Sequence, residues 1–337
     1  MKRIGLVGTG RIGTHHATTL ANEVKGIELA VLADPAAQQL EEFARELGVA
    51  HTTREPLSLA DDPSIDAVVI TAPAAIHVDL IEAFAAAGKA IFTEKPIATN
   101  VADAKRAITA VKKAGVIFQV GFNRRYAESW ARAKEQVRSG DIGEVQLMHS
   151  LTRDPGPWPG NPEKVAPGTI FNETLIHDFD TLNWLNEGSE PVDVYAVADA
   201  LVAPQARGTG FFDTAVVTIR YANGAMATAE ASFSAMYGYD LRGEVFGNGG
   251  MLTMGDPANT ATRLFNASGL HADTSGTDTS RYHESYRAEF QAFASALNGQ
   301  EVAYPNAADG YRAQLVAAAA IASVAQGRPV RVEEVAE

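Results

Sequence analysis

The sequence predicts an N-terminal α/β domain with a doubly wound parallel sheet over residues 1–122. An α+β domain with a large, mostly antiparallel, open-faced sheet follows over residues 123–337. Three observations predict this. A chain of 337 residues is longer than one core usually serves. Its first 120 or so residues alternate short apolar runs with helical stretches through short links, the pattern of a parallel sheet covered on both faces. After Gly121 the pattern changes to long alternating strands with helices segregated around them.

Taken in order, Ile4–Val7 reads as a strand, 12–22 as a helix after a glycine turn, and 27–33 as a second strand. Leu40, Phe43, Ala44 and Leu47 recur at helical spacing within 38–47. The β-branched run 66–71 is a third strand, 77–87 a helix with Gly88 as its C-cap, and 90–93 a fourth strand. A helix over 101–114 and a strand over 116–120 close the domain. In the second half a helix (129–137) precedes strands at 145–153, 192–200, 215–221 and 225–233. Asn223-Gly224 marks a hairpin between the last two. Strands at 241–246 and 251–254 flank a glycine-rich turn, and helices are expected at 174–185, 282–297 and 307–326. The Gly/Ser/Thr/Asp-rich stretch 268–280 reads as a surface loop.

Composition narrows the function classes. There are 28 Lys and Arg against 41 Asp and Glu, a formal charge of −13, which disfavours binding to nucleic acid, to anionic lipid or to a highly anionic substrate. The chain has no cysteine, so disulfides, thiolate metal sites and cysteine nucleophiles are excluded. The apolar run after Lys2-Arg3 is too short for a secretory signal, and no stretch approaches the ~18 to 20 apolar residues of a membrane span. A soluble cytoplasmic protein is expected. The histidines and carboxylates show no convergent ligand spacing, so no metal is predicted.

Gly8-Thr9-Gly10-Arg11-Ile12-Gly13 is a G-x-G-x-x-G that follows a predicted strand and opens a predicted helix, the context that gives the motif its meaning. Gly8 permits the tight turn, Gly10 lets the backbone approach a pyrophosphate, and Gly13 allows helix and strand to pack closely. The helix N-terminus then offers its free N–H groups to the phosphates. Asp34 ends the second strand, 21 residues after Gly13, where an acid hydrogen-bonds the adenosine ribose. A 2′-phosphate would meet a like charge there, and Pro35-Ala36-Ala37 supplies no arginine to offset it, so NAD is favoured over NADP. The same aspartate also suits a helix N-cap.

Glu94-Lys95-Pro96 follows the fourth predicted strand, at the carboxyl end where ligands of open α/β sheets bind. An ammonium placed there can donate to a substrate hydroxyl and stabilise the developing alkoxide. Pro96 fixes the turn and permits a cis bond. Read alone, the tripeptide is equally a surface turn with an ion pair.

Together these motifs resemble the glucose–fructose oxidoreductase, inositol dehydrogenase and rhizopine-catabolism family (Gfo/Idh/MocA), with its Rossmann domain. The resemblance rests on the glycine motif, the segment from Pro73 to His77, Glu94-Lys95-Pro96 and Gly121-Phe122-Asn123-Arg124-Arg125. Further along, Ile176-His177-Asp178-Phe179-Asp180 and Tyr237-Gly238-Tyr239-Asp240 match too. It spans nearly the whole chain and looks closest to the inositol 2-dehydrogenases. It implies an NAD-dependent oxidation of a secondary hydroxyl on a sugar or cyclic polyol, with Lys95 catalytic and His177 as general base. Thr71, Pro73, His77, Glu94 and Lys95 are then expected beside the cofactor. Arg125, Asp154, Thr174, His177, Asp180 and Tyr237 are expected around the substrate.

Spacing adds an independent point. Glu173, His177 and Asp180 stand at i, i+4 and i+7, one face of a helix with ~3.6 residues per turn. A carboxylate beside a histidine orients its ring and supports the imidazolium formed on proton abstraction. Inositol dehydrogenases usually carry aspartate four residues before this histidine, where Glu173 stands here. Glutamate fills the same role with a longer reach. Trp158, in a proline-rich loop, suits stacking on a sugar face and suits packing within its own domain. His77 suits the nicotinamide pocket and suits a capping role, while His15 and His16 read as structural.

An NAD-dependent glycoside hydrolase of the same fold and a nucleotide-responsive binding protein are the alternatives. The latter would be expected to lack Lys95 or His177. An open antiparallel sheet face, and the pairing habit of the family, imply a homodimer or homotetramer. Val217, Ile219 and Tyr221 share one side of their strand, against a helix or a second subunit.

Overall fold

Apolar runs without polar alternation are buried on both faces, as parallel strands require. In the computed structural model, which describes residues 1–156 and 160–336, the chain divides into two units. The first comprises Met1–Tyr126 with Glu284–Tyr311, and the second Ala127–His283 with Arg312–Glu337. The first contains β1 (Lys2–Val7), α1 (Arg11–Asn22), β2 (Ile27–Ala33), α2 (Leu40–Glu46) and β3 (His51–Thr53). It continues through α3 (Ser58–Asp61), β4 (Ala67–Ile70), α4 (His77–Ala86), β5 (Ala90–Thr93), α5 (Val101–Ala114) and β6 (Phe118–Val120). Every strand pair is parallel, and the sheet order is β3-β2-β1-β4-β5-β6, the doubly wound arrangement. All four residues of β4 are fully buried. Glycines end several helices in the left-handed region, Gly88 after α4 and Gly115 after α5 among them.

The second unit begins with α6 (Glu128–Ser139), β7 (Val145–Pro155) and α7 (Leu175–Leu185). β8 (Pro191–Asp199), β9 (Thr214–Tyr221), β10 (Met226–Ala235), β11 (Asp240–Gly247) and β12 (Gly250–Met254) follow. Then come a separate hairpin of β13 (Ala258–Asn266) and β14 (Gly269–Thr274), and the short α8 (Asp278–Arg281). α9 (His283–Leu297), which belongs to the first unit from Glu284 on, and α10 (Ala307–Gln326), which passes into the second unit at Arg312, precede β15 (Val330–Arg331). The main sheet runs β12-β11-β7-β10-β9-β8-β15, antiparallel except for the parallel pair β7 and β10.

Strand alternation separates the two faces of this sheet. Val217, Ile219 and Tyr221 of β9 are buried, and the Tyr221 hydroxyl donates to Asn183 Oδ1 on α7 at 3.0 Å. Their partners are thus helices of the same unit. Ser323 of α10 joins them, accepting from Ala196 N of β8 at 3.0 Å. The opposite face is open. Leu147, Tyr195, Val197, Val216, Met226, Phe246 and Met251 are exposed there, and strand register aligns them across β8, β9, β10, β7, β11 and β12.

The structure departs from the sequence expectation at four places. Residues 284–311 join the first unit rather than continuing the second, because Phe290 and Phe293 of α9 pack against Phe92 of β5 at ring separations of 4.7 and 5.8 Å. The same helix completes the core formed by Ile4, Leu6, Val69 and Leu20. β3 was not expected, so Glu94-Lys95-Pro96 follows the fifth strand and not the fourth. The stretch 268–280 is not one loop. It holds all of β14 and then most of α8, and β14 is exposed throughout, so no apolar alternation marks it. Finally, α7 starts at Leu175 after a π-helical turn over Ile170–Thr174, which places Glu173 outside the regular helix.

Phe290 is fully buried between helix and sheet. Phe290→Ala is expected to cost about 3–5 kcal/mol, read as a lowered urea midpoint at unchanged slope.

Candidate active site

A strand that must turn directly into a helix leaves no room for side chains at the turn, and the glycine loop after β1 shows this. Gly8 adopts φ +99°, and an added Cβ would lie 2.7 Å from Ala72 N. At Gly13 a Cβ would stand 2.0 Å from the Gly8 carbonyl oxygen and 2.8 Å from Thr71 Oγ1. Gly10 differs, since a Cβ there meets nothing within 4 Å. The backbone at Gly10 therefore borders open space at the start of α1. That helix start has no side-chain cap and no acidic residue in its first turn, so its N–H groups suit an anion. Arg11 is exposed and Ile12 half-buried there. These features fit a dinucleotide pyrophosphate.

Thr71 closes the loop from β4, donating to Gly8 O at 2.6 Å and facing Val7 O at 3.0 Å. Asp34 closes it from β2. One carboxylate oxygen accepts from Thr9 N (2.7 Å) and Thr9 Oγ1 (2.9 Å), the other from Ala36 N (2.8 Å) and Ala37 N (2.9 Å). Burial works against the charged form of Asp34, but these four donors outweigh it and hold its pKa below the usual aspartate value. The local turn thus carries both the glycine loop and the start of the β2–α2 connection. A cleft of about 580 Å³ lies beside it, lined by Thr9, Thr14, Gln38, Gln39, Phe43 and Glu46 among others. Sequence reading missed Arg54, after β3. It donates to the Ala37 carbonyl and pairs with Glu41 at 2.8 Å, arching over the same connection.

The turn after β5 is held from both flanks. The Lys95–Pro96 bond is cis. Glu94 is buried, its Oε1 2.7 Å from His16 Nε2 on α1, and its Oε2 accepts from Lys95 N at 3.2 Å. Gly121 backs this carboxylate, and a Cβ there would sit 3.1 Å from it. Burial pushes Glu94 up, but the hydrogen bond and charge of His16, and the charge of Lys95, outweigh it and keep its pKa below the usual glutamate value. Pro96 O lies 2.8 Å from His77 Nδ1, and His77 Nε2 lies 2.8 Å from Ala72 O. His77 is buried at the first position of α4 and does not cap it. Pro73 precedes the short 3₁₀ turn Ala74–Ile76. Arg125 pairs with Asp309 at 3.1 Å.

In the second unit, α7 carries His177 and Asp180. Asp178 between them is fully buried and accepts from Thr152 Oγ1 at 2.7 Å and from Ser150 Oγ, two alternate residues on one face of β7. That grip sets the rotation of α7 on the sheet, a role the spacing argument did not assign. His177 is half-buried, Asp180 buried and Glu173 exposed. Because Glu173 and Thr174 lie in the π-helical turn, the phase of Glu173 relative to His177 is not that of a 3.6-residue repeat. The Thr181 hydroxyl donates to His177 O at 2.6 Å.

Asp154 lies near the end of β7. Tyr237 is exposed on one side and donates from its hydroxyl to buried Asp240 at 2.6 Å. Arg153 Nη1 is 3.4 Å from the same hydroxyl, and Arg242 holds Asp240 with two bonds of 2.9 Å. Burial and the adjacent carboxylate push the Tyr237 hydroxyl pKa up. Trp158 lies outside the described residues. Among the described residues, no group of three or more His, Asp or Glu is placed to hold a metal ion. No helix among them is long and apolar enough to cross a membrane.

Residues 2–122 match the oxidoreductase family described by its NAD-binding Rossmann fold, and residues 134–332 match the C-terminal alpha/beta domain of the same family. The chain belongs to the Gfo/Idh/MocA oxidoreductase family. It is 36% identical to myo-inositol 2-dehydrogenase of Thermotoga maritima, over 99% of each chain. It is 34% identical to scyllo-inositol 2-dehydrogenase (NAD(+)) of Bacillus subtilis, over 98% of this chain and 96% of that one. Scyllo-inositol dehydrogenase from Lactobacillus casei, solved with bound NAD(H) and scyllo-inositol, superimposes with a TM-score of 0.92 at 29% identity over 99% of both chains. The Gfo/Idh/MocA assignment accounts for the glycine loop as part of an NAD-binding Rossmann domain in an oxidoreductase.

In this family member the buried Glu94 carboxylate gives a pH signature. Its native pKa is lower than the unfolded value, so its stabilising contribution is present above pH ~4.5 and is lost as pH falls through the native value. Glu94→Gln should therefore be least stable relative to the native chain above that pH. Urea midpoints from pH 7 to pH 3 should show the gap closing on acidification.

Proposed function

We propose that the chain is an NAD-dependent dehydrogenase that oxidises a secondary hydroxyl of a cyclic polyol, an inositol being the first choice. The observation that carries this reading is the placement of Lys95. It follows β5 at the carboxyl edge of the sheet that bears the glycine loop, with its backbone fixed by buried Glu94 and its own side chain half-exposed. The relatives named as inositol 2-dehydrogenases support the choice of substrate.

NAD, when bound, supplies the hydride acceptor. The chain's own residues do the rest. Gly8 to Gly13, with the start of α1, hold the pyrophosphate. The Asp34 carboxylate favours the plain ribose, because a 2′-phosphate would approach a like charge. Lys95 donates to the substrate hydroxyl oxygen and stabilises negative charge there. His177 takes the hydroxyl proton, and the flanking acids Glu173 and Asp180 support the imidazolium. The C–H bond breaks as the C=O bond forms, so one hydride and one proton leave the alcohol. Arg125, Asp154, Thr174 and Tyr237 offer polar groups suited to the ring hydroxyls, and Trp158 suits a stacking face.

A screen for NADH appearance tests this, using myo-, scyllo- and chiro-inositol beside common aldoses and anhydrosugars, with NAD and NADP in parallel. Turnover with NAD on an inositol is expected. Lys95→Ala and His177→Ala should keep NAD affinity and lose about 10²-fold or more in kcat. Undiminished turnover in either variant removes that residue from the mechanism. Substrate consumption without net NADH would point to a transient-redox hydrolase instead.

The open sheet face supports self-association. Leu147, Val216, Met226 and Phe246, each more than 40% exposed, form an apolar band across the open face of the sheet. A second copy of this chain is the proposed occupant, giving a homodimer or homotetramer. Met226→Glu with Val216→Glu is expected to shift the chain to monomer in sedimentation velocity. An unchanged sedimentation coefficient would exclude this face as the interface.

A further inference from the structure

Two buried histidines lie outside the proton-transfer step described above, and both end on the turn that carries Lys95. His16 sits on α1, three residues past Gly13, with no exposed surface. Its ring is enclosed by Phe290 (4.8 Å between centroids), Tyr286 (5.2 Å), His15 (5.9 Å) and Phe92 (6.4 Å). An apolar residue would fill that space at lower desolvation cost, so the polar ring there calls for a reason. The reason is Glu94, whose carboxylate is buried with it at 2.7 Å. His77, from α4, bridges two carbonyl oxygens, Ala72 O on the β4 side and Pro96 O on the lysine side. Carbonyls only accept, so a neutral ring donates to one of the two and lies in polar contact with the other, and only an imidazolium would donate to both.

Followed atom by atom, these contacts close a circuit. Gly8 O accepts from Thr71, and Gly8 packs directly on Ala72. Ala72 O reaches His77, and His77 reaches Pro96 O. Lys95 N donates to Glu94, and Glu94 meets His16 on α1, whose first turn begins at the glycine loop. Each link is a polar contact of 2.6 to 3.2 Å or a van der Waals contact, and those of His77 with Pro96 O and of His16 with Glu94 are buried. A displacement of the glycine loop therefore moves the lysine turn from two sides at once.

We propose that His16 and His77 are positioning residues that mechanically couple the dinucleotide loop to Lys95, so that seating the cofactor and aligning the lysine are one event. This rests on the reading of Lys95 as the catalytic lysine. Coupling of this kind is reciprocal in binding: whatever loosens the lysine turn must also weaken cofactor binding. A purely structural role for either histidine would lower stability but leave both the NADH dissociation constant and kcat of the folded fraction unchanged.

The test uses the full chain with His16→Leu, His16→Gln and His77→Leu, each alone and combined with Lys95→Ala. NADH affinity is read by fluorescence titration, and kcat and KM with whichever polyol the screen identifies. Gln places an amide donor near the position of Nε2 and should restore most of the Glu94 contact. His16→Leu and His77→Leu are expected to weaken NADH binding about fivefold or more and to lower kcat about 10- to 100-fold at little-changed polyol KM. His16→Gln should recover most of both. In the Lys95→Ala background the same substitutions should cost little further kcat, because residues acting through one group are not additive.

Full additivity with Lys95→Ala, or unchanged NADH affinity in the folded single variants, overturns the proposal. Unimpaired turnover of Lys95→Ala alone would instead overturn the reading beneath it, so the two failures are distinguishable. If His16→Leu does not fold because Glu94 is left without its partner, His16→Leu with Glu94→Gln removes the buried charge as well. The NADH titration then decides on that variant.

Discussion

The carbonyl of Gly8 is the point on which the first unit turns. It receives the Thr71 hydroxyl from β4 and lies so close to Gly13 of α1 that no side chain fits there, while Gly8 N donates to Ala33 O of β2 at 2.8 Å. Three neighbouring strands and one helix thus meet at a single residue. Such convergence is possible only where Gly8 can take a positive φ and Gly13 carries no Cβ. The orientation of α1, and so the direction of its unsatisfied N–H groups, follows from that contact and not from helix propensity. The helix has no cap of its own to hold it.

Both units use a buried carboxylate to fix a local element, but they compensate it differently. Asp178 is satisfied by two hydroxyls on β7, neutral donors that anchor α7 without altering charge nearby. Glu94 is satisfied by a histidine and by the backbone of the lysine turn, and it feels the charge of Lys95. A carboxylate beside an ammonium favours the charged form of both. Glu94 therefore does more than anchor: its charge is set against that of Lys95 at the same turn. Removing His16, the buried partner of Glu94, costs more than the pair contributes, because the remaining carboxylate stays desolvated.

Much of this was legible in the sequence where structure follows from local pattern. β2, β5, α5 and α10 have the bounds their apolar spacing indicates, and the glycine motif, Asp34 and Glu94-Lys95-Pro96 stand at strand ends as expected. What was not legible has physical causes. The three residues of β3 are too few to show a period, and β14 has no buried face to generate one. The return of α9 to the first unit depends on Phe290 meeting Phe92, nearly two hundred positions away in sequence, and periodicity shows only that both are apolar. Periodicity likewise marks His16 as inward-facing but cannot name Glu94 as its partner. The π-helical turn before α7 breaks the 3.6-residue assumption at Glu173, and nothing in the local residue types signals it.

The two kinds of information meet at the lysine turn. Glu94 and Pro96 are buried on either side of Lys95, and each is tied to a helix that begins at the cofactor seat or beside it. The backbone of the turn therefore has little freedom, while the lysine side chain keeps part of its surface exposed. A rigid backbone with one accessible charged arm is the arrangement that lets a flexible residue type act with positional accuracy, since the entropy of orienting it is largely lost on folding rather than at each turnover. Lysine is the most mobile of the candidate groups, and it stands where the fold supplies the most restraint.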